Sequence, residues 1–396
     1  MNTILIVEDD TLMARVYVDK FRSVGFDVDL AMDGATAIER LRSSRPDLVL
    51  LDLMLGEVSG VEVLKFVRGQ EATRSLPVLV LSNAFMGDLV QAAWKAGANK
   101  CLAKSNCSPN KLVEEARAMV AAHPADEKAR PATEAVIRPA TPAAPLDLPP
   151  ATGDERVQES LRRELVESIR YRLTEARQSL HDWVKSNQGV DSPHLQALYS
   201  SSHSLANAGL AGFSRLAHLA AALEALLKEL LGHPRKFNAS SIRTITQAVE
   251  LTPALFRNSD APQQEVFATP MIMIVDDDAV SRATVSSALD RAHLRALRLA
   301  DPTAALALAE ENRFDLIFLD VDMPGLSGLQ LCEKIHATDT NLTTPIVFVT
   351  GMTDFETRSQ STEKGAVDFI AKPVWLNELA LKAIFHLLRG RILAAT

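Results

Sequence analysis

The chain has few cysteines, no long apolar run and no excess of basic charge, and each absence closes off a class of function. Its three cysteines, Cys101, Cys107 and Cys332, supply neither a disulfide framework nor zinc-ligand spacing, which suits a reducing cytoplasm. No stretch reaches about 18 uninterrupted apolar residues, so no membrane span is expected. The opening MNTILIVEDD has no basic region before its short apolar run and does not read as a signal peptide. A net charge of −8 and a pI near 5.7 give no broad basic surface, so a nucleic-acid partner is not expected. No phosphate-binding GxxxxGK[ST] loop, kinase-type glycine pattern or helix-turn-helix candidate is visible. What remains is 396 residues, 47% hydrophobic and 23% charged, an ordinary globular composition with room for several domains.

The two ends of the sequence repeat at an offset of 268. Glu8 and Asp9 fall on Asp276 and Asp277, Asp52 on Asp320, and Gly60 on Gly328. Pro77 falls on Pro345, Ser82 on Thr350, Gly97–Ala98 on Gly365–Ala366, and Lys104 on Lys372. A period this long is a duplicated domain rather than a solenoid. Within each copy, short apolar runs alternate with helical stretches: ILIVED, LVLLD, PVLVLS and NKCLAK in the first, MIMIVD, LRALRL, LIFLD, PIVFVT and VDFIAK in the second. That alternation predicts an α/β doubly wound, five-stranded parallel sheet in each copy.

Every marked polar residue lies at the carboxyl end of a predicted strand, where doubly wound sheets hold their ligands. One rim per copy gathers three acids, a hydroxyl and a lysine. Clustered carboxylates repel unless a cation sits among them, and Mg2+ suits oxygen ligands and phosphate. A lone Asp is accounted for as a strand end, but five residue types at matched spacing in two copies point to a site.

These residues resemble receiver domains, the phospho-accepting modules of two-component response regulators. The resemblance covers roughly 1–121 and 270–392, through VEDD…LLD…LS…LAK and VDDD…FLD…VT…AKP. It implies a flavodoxin-like fold and Asp52 and Asp320 as phosphoacceptors. Glu8, Asp9, Asp276 and Asp277, with the acceptors and the backbone of Met54 and Asp322, would hold Mg2+. Ser82 and Thr350 would hydrogen-bond the phosphoryl group, and Lys104 and Lys372 would pair with its oxygens. The second copy carries the family's Met323–Pro324–Gly325, Lys372–Pro373 and an aromatic residue, Phe369. The first departs at Gly56, Ser105 and Cys101, so its switching is expected to differ and its Lys104–Ser105 bond to be trans. Asp322 adds a charge where the first copy has Met54.

Between the copies, residues 122–153 hold seven of the nineteen prolines and read as a linker. Over 154–259 the period becomes helical. Val157, Leu161, Leu165, Ile169, Leu173 and Leu180 form one stripe, Ser192–Pro193 starts a second helix, and helices follow over 214–231 and 239–256. An all-α four-helix bundle is expected. Its SSHSLANAGLAGF, residues 201–213, looks like a histidine phosphotransfer domain, with His203 as the phosphoacceptor. Leu195, Leu198 and Leu205 share one helix face, and His203 is expected to point away from them into solvent. The family's usual lysine three residues on is Ala206 here. His181, His194, His218 and His233 read as surface or loop residues.

The expected protein is a cytoplasmic phosphorelay response regulator, receiver–bundle–receiver. It would take phosphoryl groups from a sensor histidine kinase or other phosphorelay protein and act through protein contacts, with a receiver-mediated dimer as one form, rather than turn over a substrate. Two alternatives stay open. One is a scaffold whose receiver or bundle no longer relays phosphate, suggested by Ser105, Cys101 and Ala206. The other is a haloacid-dehalogenase-like phosphohydrolase, suggested by Asp320–Val321–Asp322, although Pro324 stands where that family has Thr or Val.

Overall fold

The computed structural model describes residues 2–83, 85, 87–104, 107, 109–123, 155–186, 192–233, 238–257, 269–351 and 368–395. Ser105, residues 124–153 of the expected linker and the Gly365–Ala366 pair lie outside them, as do the side chains of Val157 and Leu161. The chain forms two compact units. One is Met1–Ser82, Asp88–Ala103 and Cys107–Val166; the other is Asn83–Gly87, Lys104–Asn106 and Glu167–Thr396.

The first unit is built from β1 (Thr3–Val7), α1 (Thr11–Ser23), β2 (Asp27–Ala31), α2 (Gly34–Ser43), β3 (Leu48–Asp52), α3 (Gly60–Gly69), β4 (Val78–Ser82), α4 (Gly87–Lys95), β5 (Lys100–Ala103) and α5 (Pro109–Ala122). Its strands are parallel in the order β2-β1-β3-β4-β5. β3 and β4 are buried at every residue, which is why they read as continuous apolar runs rather than alternating ones. Leu5, Val49, Leu51, Val78 and Val80 pack with Ala37, Leu41, Leu64 and Val67. Each fully buried Leu or Val contributes roughly 1.5–3 kcal/mol. Asp10, Asp33 and Ser59 cap α1, α2 and α3 by accepting from backbone N–H groups of the first turn.

In the second unit the helices α6 (Glu155–Ser186, from Glu167), α7 (Pro193–Ala206), α8 (Ser214–Gly232) and α9 (Ala239–Arg257) precede another sheet. Ser192 caps α7 with Pro193 behind it, as the sequence predicts. β6 (Ile272–Val275), α10 (Ala279–Arg291), β7 (Ala296–Leu299), α11 (Pro302–Glu311), β8 (Leu316–Asp320), α12 (Gly328–His336), β9 (Ile346–Thr350), β10 (Asp368–Ala371) and α13 (Leu376–Ala395) follow. The strand order β7-β6-β8-β9-β10 repeats that of the first sheet. Two doubly wound sheets and a helical middle region are the expected architecture.

α8 is covered by α7, α9 and α13. Every residue from Leu216 to Leu227 is therefore buried, including His218 and Glu224. The reading of His218 as a surface residue is wrong for this reason. It keeps 3% of its surface, burial pushes its pKa down to about 4, and its ring meets Phe85 edge-on at 5.1 Å. α13 packs on α8, α9 and α10. Beneath it lies a buried polar cluster. Asp368 meets Lys382 Nζ at 3.0 Å, His386 Nε2 at 3.3 Å and Arg243 Nε at 3.4 Å. Ser240 of α9 donates to Glu378 of α13.

Candidate functional site

The second copy assembles its acids at the carboxyl ends of β6 and β8. Asp276 and Asp277 follow β6, Asp320 ends β8, Thr350 ends β9 and Lys372 follows β10. Asp276, Asp320 and Thr350 are buried, while Asp277 is exposed. One oxygen from each of Asp276, Asp277 and Asp320 lies within 4.8 Å of the others. Lys372 Nζ donates to Asp276 Oδ2 at 3.0 Å and to Asp320 Oδ1 at 3.1 Å. Its backbone N–H donates to the Thr350 carbonyl at 2.8 Å, and the Lys372–Pro373 peptide is cis.

Asp276 is held from several sides. Ser281 Oγ donates to its Oδ2 at 2.5 Å, the Asp278 N–H to its Oδ1 at 2.8 Å, and Arg282 Nη1 to its carbonyl at 2.6 Å. Burial raises the pKa of Asp320, and the Lys372 ammonium works against that rise. Lys372 itself is raised: burial lowers it, but its two carboxylate partners outweigh that. Asp322 is exposed.

Equivalent acids of the first copy occupy equivalent strand ends. Glu8 and Asp9 follow β1, Asp52 ends β3 and Ser82 ends β4. Glu8, Asp52 and Ser82 are buried and Asp9 is exposed. Carboxylate oxygens of Asp9 and Asp52 lie within 4.8 Å of one another. The Met54 N–H donates to Asp52 Oδ1 at 3.0 Å. Lys104 follows β5 and is buried.

Both acceptor positions are backed by a glycine that starts the next helix. A Cβ on Gly60 would stand 2.1 Å from the Asp52 carbonyl oxygen, and one on Gly328 would stand 1.9 Å from that of Asp320. Only glycine permits this approach. Ser59 with Glu62, and Ser327 with Gln330, form capping boxes that fix the helix starts beside the acceptors.

His203 is not the exposed residue the helical wheel predicts. Its side chain keeps 18% of its surface, and Nδ1 lies 2.9 Å from Oε1 of Glu224, which is 1% exposed on α8. The wheel places His203 correctly off the Leu195–Leu198–Leu205 face, all three of which are buried. It does not see that α8 supplies a partner on the other side. Three supporting residues lie outside the repeated pattern of the sequence: Ser281, Arg282 and Glu224. Capping logic could have found the first, since Asp278 as N-cap puts Ser281 in the first turn beside Asp276. Nothing in the apolar run of α8 marks Glu224.

Residues 4–117 and 272–384 match the family described as Response regulator receiver domain. Similar proteins include the C4-dicarboxylate transport transcriptional regulatory protein DctD of Rhizobium meliloti, 35% identical over 116 residues, which are 29% of this chain and 25% of DctD. The phosphate regulon transcriptional regulatory protein PhoB of Pseudomonas aeruginosa is 34% identical over 117 residues, 29% of this chain and 51% of PhoB. The chain thus spans about a quarter to a half of these relatives. Among solved structures, the receiver domain of a Pseudomonas aeruginosa PAO1 sensor histidine kinase, with a magnesium ion coordinated in its active site cleft, is 30% identical with a TM-score of 0.29, covering 30% of this chain and 98% of its own. Vibrio cholerae chemotaxis protein CheY4 is 32% identical with a TM-score of 0.28, covering 30% of this chain and 97% of its own. Among the described residues no helix is long and apolar enough to cross a membrane. With more than half of its length inside the two matched stretches, the chain belongs to the response regulator receiver domain family and carries two such domains of phosphorelay signal transduction.

Proposed function

We propose that the chain accepts phosphoryl groups on Asp52 and Asp320 from a sensor histidine kinase or another phosphorelay protein, with receivers at 1–121 and 270–392. The observation that carries this reading is Lys372 bridging Asp276 and Asp320, with Asp277 beside them. A carboxylate oxygen of Asp320 attacks the donor phosphorus, the bond from phosphorus to the donor's leaving atom breaks, and that atom keeps the electron pair. Lys372 offsets negative charge on both the acceptor and the entering oxygens. Thr350 in this copy, and Ser82 with Lys104 in the first, have the strand-end positions for the same tasks.

One ammonium among three carboxylates leaves a strongly negative, oxygen-only donor set, which fits Mg2+. Asp276, Asp277 and Asp320 would hold it, with the backbone of Asp322; Glu8, Asp9, Asp52 and the Met54 backbone are the counterparts. Bound there, it would neutralise phosphoryl oxygens. Residues 154–259 act as a histidine phosphotransfer-like bundle carrying the group on His203, joined to the first receiver by the 122–153 linker. Output is through protein contacts in the cytoplasm, and no substrate is turned over.

The test is incubation of the full chain with a small acyl-phosphate donor, with Mg2+ or with chelator, followed by intact mass. Mass gain that needs Mg2+ and is released by hydroxylamine, as an acyl phosphate must be, supports the reading. Mass gain insensitive to both would sink it.

A further inference from the structure

We propose that the side-chain amide of Asn207 is the hydrogen-bond donor to the phosphoryl group carried on His203; this rests on the reading of the bundle as a phosphotransfer domain. Asn207 is 4% exposed, and neither its Nδ2 nor its Oδ1 has a hydrogen-bond partner among the described residues. Buried amides are ordinarily paired, because an unpaired one forfeits its hydration without return. The side chain therefore costs stability where it stands, and a ligand that accepts hydrogen bonds would relieve it.

Its position points to that ligand. Asn207 closes α7 through its backbone, whose N–H donates to the Ser204 and Leu205 carbonyls, so the side chain takes no part in the cap. Its φ of −82° and ψ of −6° continue the helical turn. Asn207 thus follows His203 by four residues on one face, with Cβ atoms about 5–6 Å apart. Side chains on a helix lean toward its N-terminus, which carries the amide back over the turn of His203. Ala206, where the phosphotransfer family has its usual lysine, is buried and offers only a methyl group. That family has glycine where this chain has Asn207, so the amide is an addition of this sequence.

A ring nitrogen of His203 attacks the phosphorus of an aspartyl phosphate. The N–P bond forms, the P–O bond to the aspartate breaks, and its electron pair returns to that carboxylate. Asn207 gives up no atom. Its two N–H bonds stay intact and donate to phosphoryl oxygens, which only accept. No hydrogen bond fixes which end of the amide faces His203, so Nδ2 can turn to the incoming group. A donor already in place meets the charge on those oxygens as the group transfers.

The test uses the full chain labelled by a small acyl-phosphate donor with Mg2+. Phosphorus NMR separates the acyl phosphate from the N–P species, and peptide mapping places the latter. Asn207→Ala is expected to slow appearance of label on His203 by about 100-fold, with aspartyl labelling unchanged. Asn207→Asp should slow it further, since a carboxylate of the same shape brings only acceptors and a repelling charge. The unfolding temperature of Asn207→Ala should be no lower than that of the wild type, because the amide it removes is unpaired. Equal rates on His203 in wild type and both variants would overturn the proposal. So would slower labelling of Asn207→Ala together with a lower unfolding temperature, which marks a structural residue. Aspartyl label with none on His203 in the wild type would overturn the phosphotransfer reading itself, and this role with it.

Discussion

The last strand of each receiver is tied to its last helix by an ion pair, and the two pairs have opposite polarity. In the first copy Lys100 on β5 meets Glu115 on α5, and both remain partly exposed. In the second, the residue aligned with Lys100 is Asp368, and it meets Lys382 on α13 with both side chains at 0% exposure. The difference follows from what covers the helix. α13 packs on α8 and α9 as well as on its own sheet, so its ion pair is sealed and joined by His386. Burial alone would raise the Asp368 pKa, yet the His386 hydrogen bond and the Lys382 charge hold it well below the usual carboxylate range. A duplicated scaffold has kept one tie while changing its sign and its energetic weight.

Other features repeat without change. Asp47 accepts from the Thr3 N–H at 2.7 Å, and Asp315 from the Met271 N–H at 2.8 Å. The N-caps Asp10, Asp33 and Ser59 recur as Asp278, Asp301 and Ser327. Arg68 donates to the Leu76 carbonyl at 2.8 Å, and in the second copy His336 Nε2 takes that place on the Thr344 carbonyl at 2.8 Å. Beside the acids the copies diverge, since Ser281 and Arg282 align with Met13 and Ala14. The frame is preserved more strictly than the supports of the site.

The sharpest break of this comparison is at the two ion pairs. Lys382→Met leaves Asp368 buried without its main cation and is expected to cost about 3–5 kcal/mol. Lys100→Met should cost under about 1 kcal/mol. Chemical unfolding of both variants checks the contrast, and equal losses would refute it. A second difference lies in acid stability. Folded His218 titrates near pH 4, below its ordinary 6.5, so between those values the unfolded chain binds more protons. Stability present above pH 6.5 is therefore lost as the pH falls toward 4, by roughly 3 kcal/mol in total. His218→Leu should flatten that part of the pH profile, followed by circular dichroism.

Charge at the acceptors gives the third contrast. Lys372→Met is expected to slow labelling of Asp320 by about 100-fold and leave Asp52 unaffected. It should also move the acid limb of Asp320 labelling to higher pH, because the cation that opposes the raised pKa is gone. Rates from intact mass across pH decide this. The smallest effect is a matched pair. Asp47→Ala and Asp315→Ala each remove one backbone hydrogen bond to a carboxylate, costing about 1–2 kcal/mol alike without changing the rate of labelling.

The rim of acids was legible because apolar strands ending on carboxylates recur at one offset, and a buried parallel sheet leaves few other ways to arrange them. The four helices were legible from Pro193 and the 3.6-residue stripes. His218 and Glu224 were not, because the groups that meet them, Phe85 for the one and Asn83 and His203 for the other, lie outside α8. A wheel drawn for α7 alone leaves His203 in solvent; only the neighbouring helix brings the carboxylate that half-buries it. Ser281 and Arg282 carry no repeat signal, since the first copy has Met13 and Ala14 at those positions.

The most direct test of two working acceptors is intact mass after exposure to Mg2+ and a small acyl-phosphate donor, with wild type run beside Asp52→Ala, Asp320→Ala and the double variant, all in the His203→Ala background so that aspartyl label is counted alone. Two phosphates on the parent, one on each single variant and none on the double are predicted. Loss of all label with Asp320→Ala alone, or label persisting on the double variant, would contradict the account.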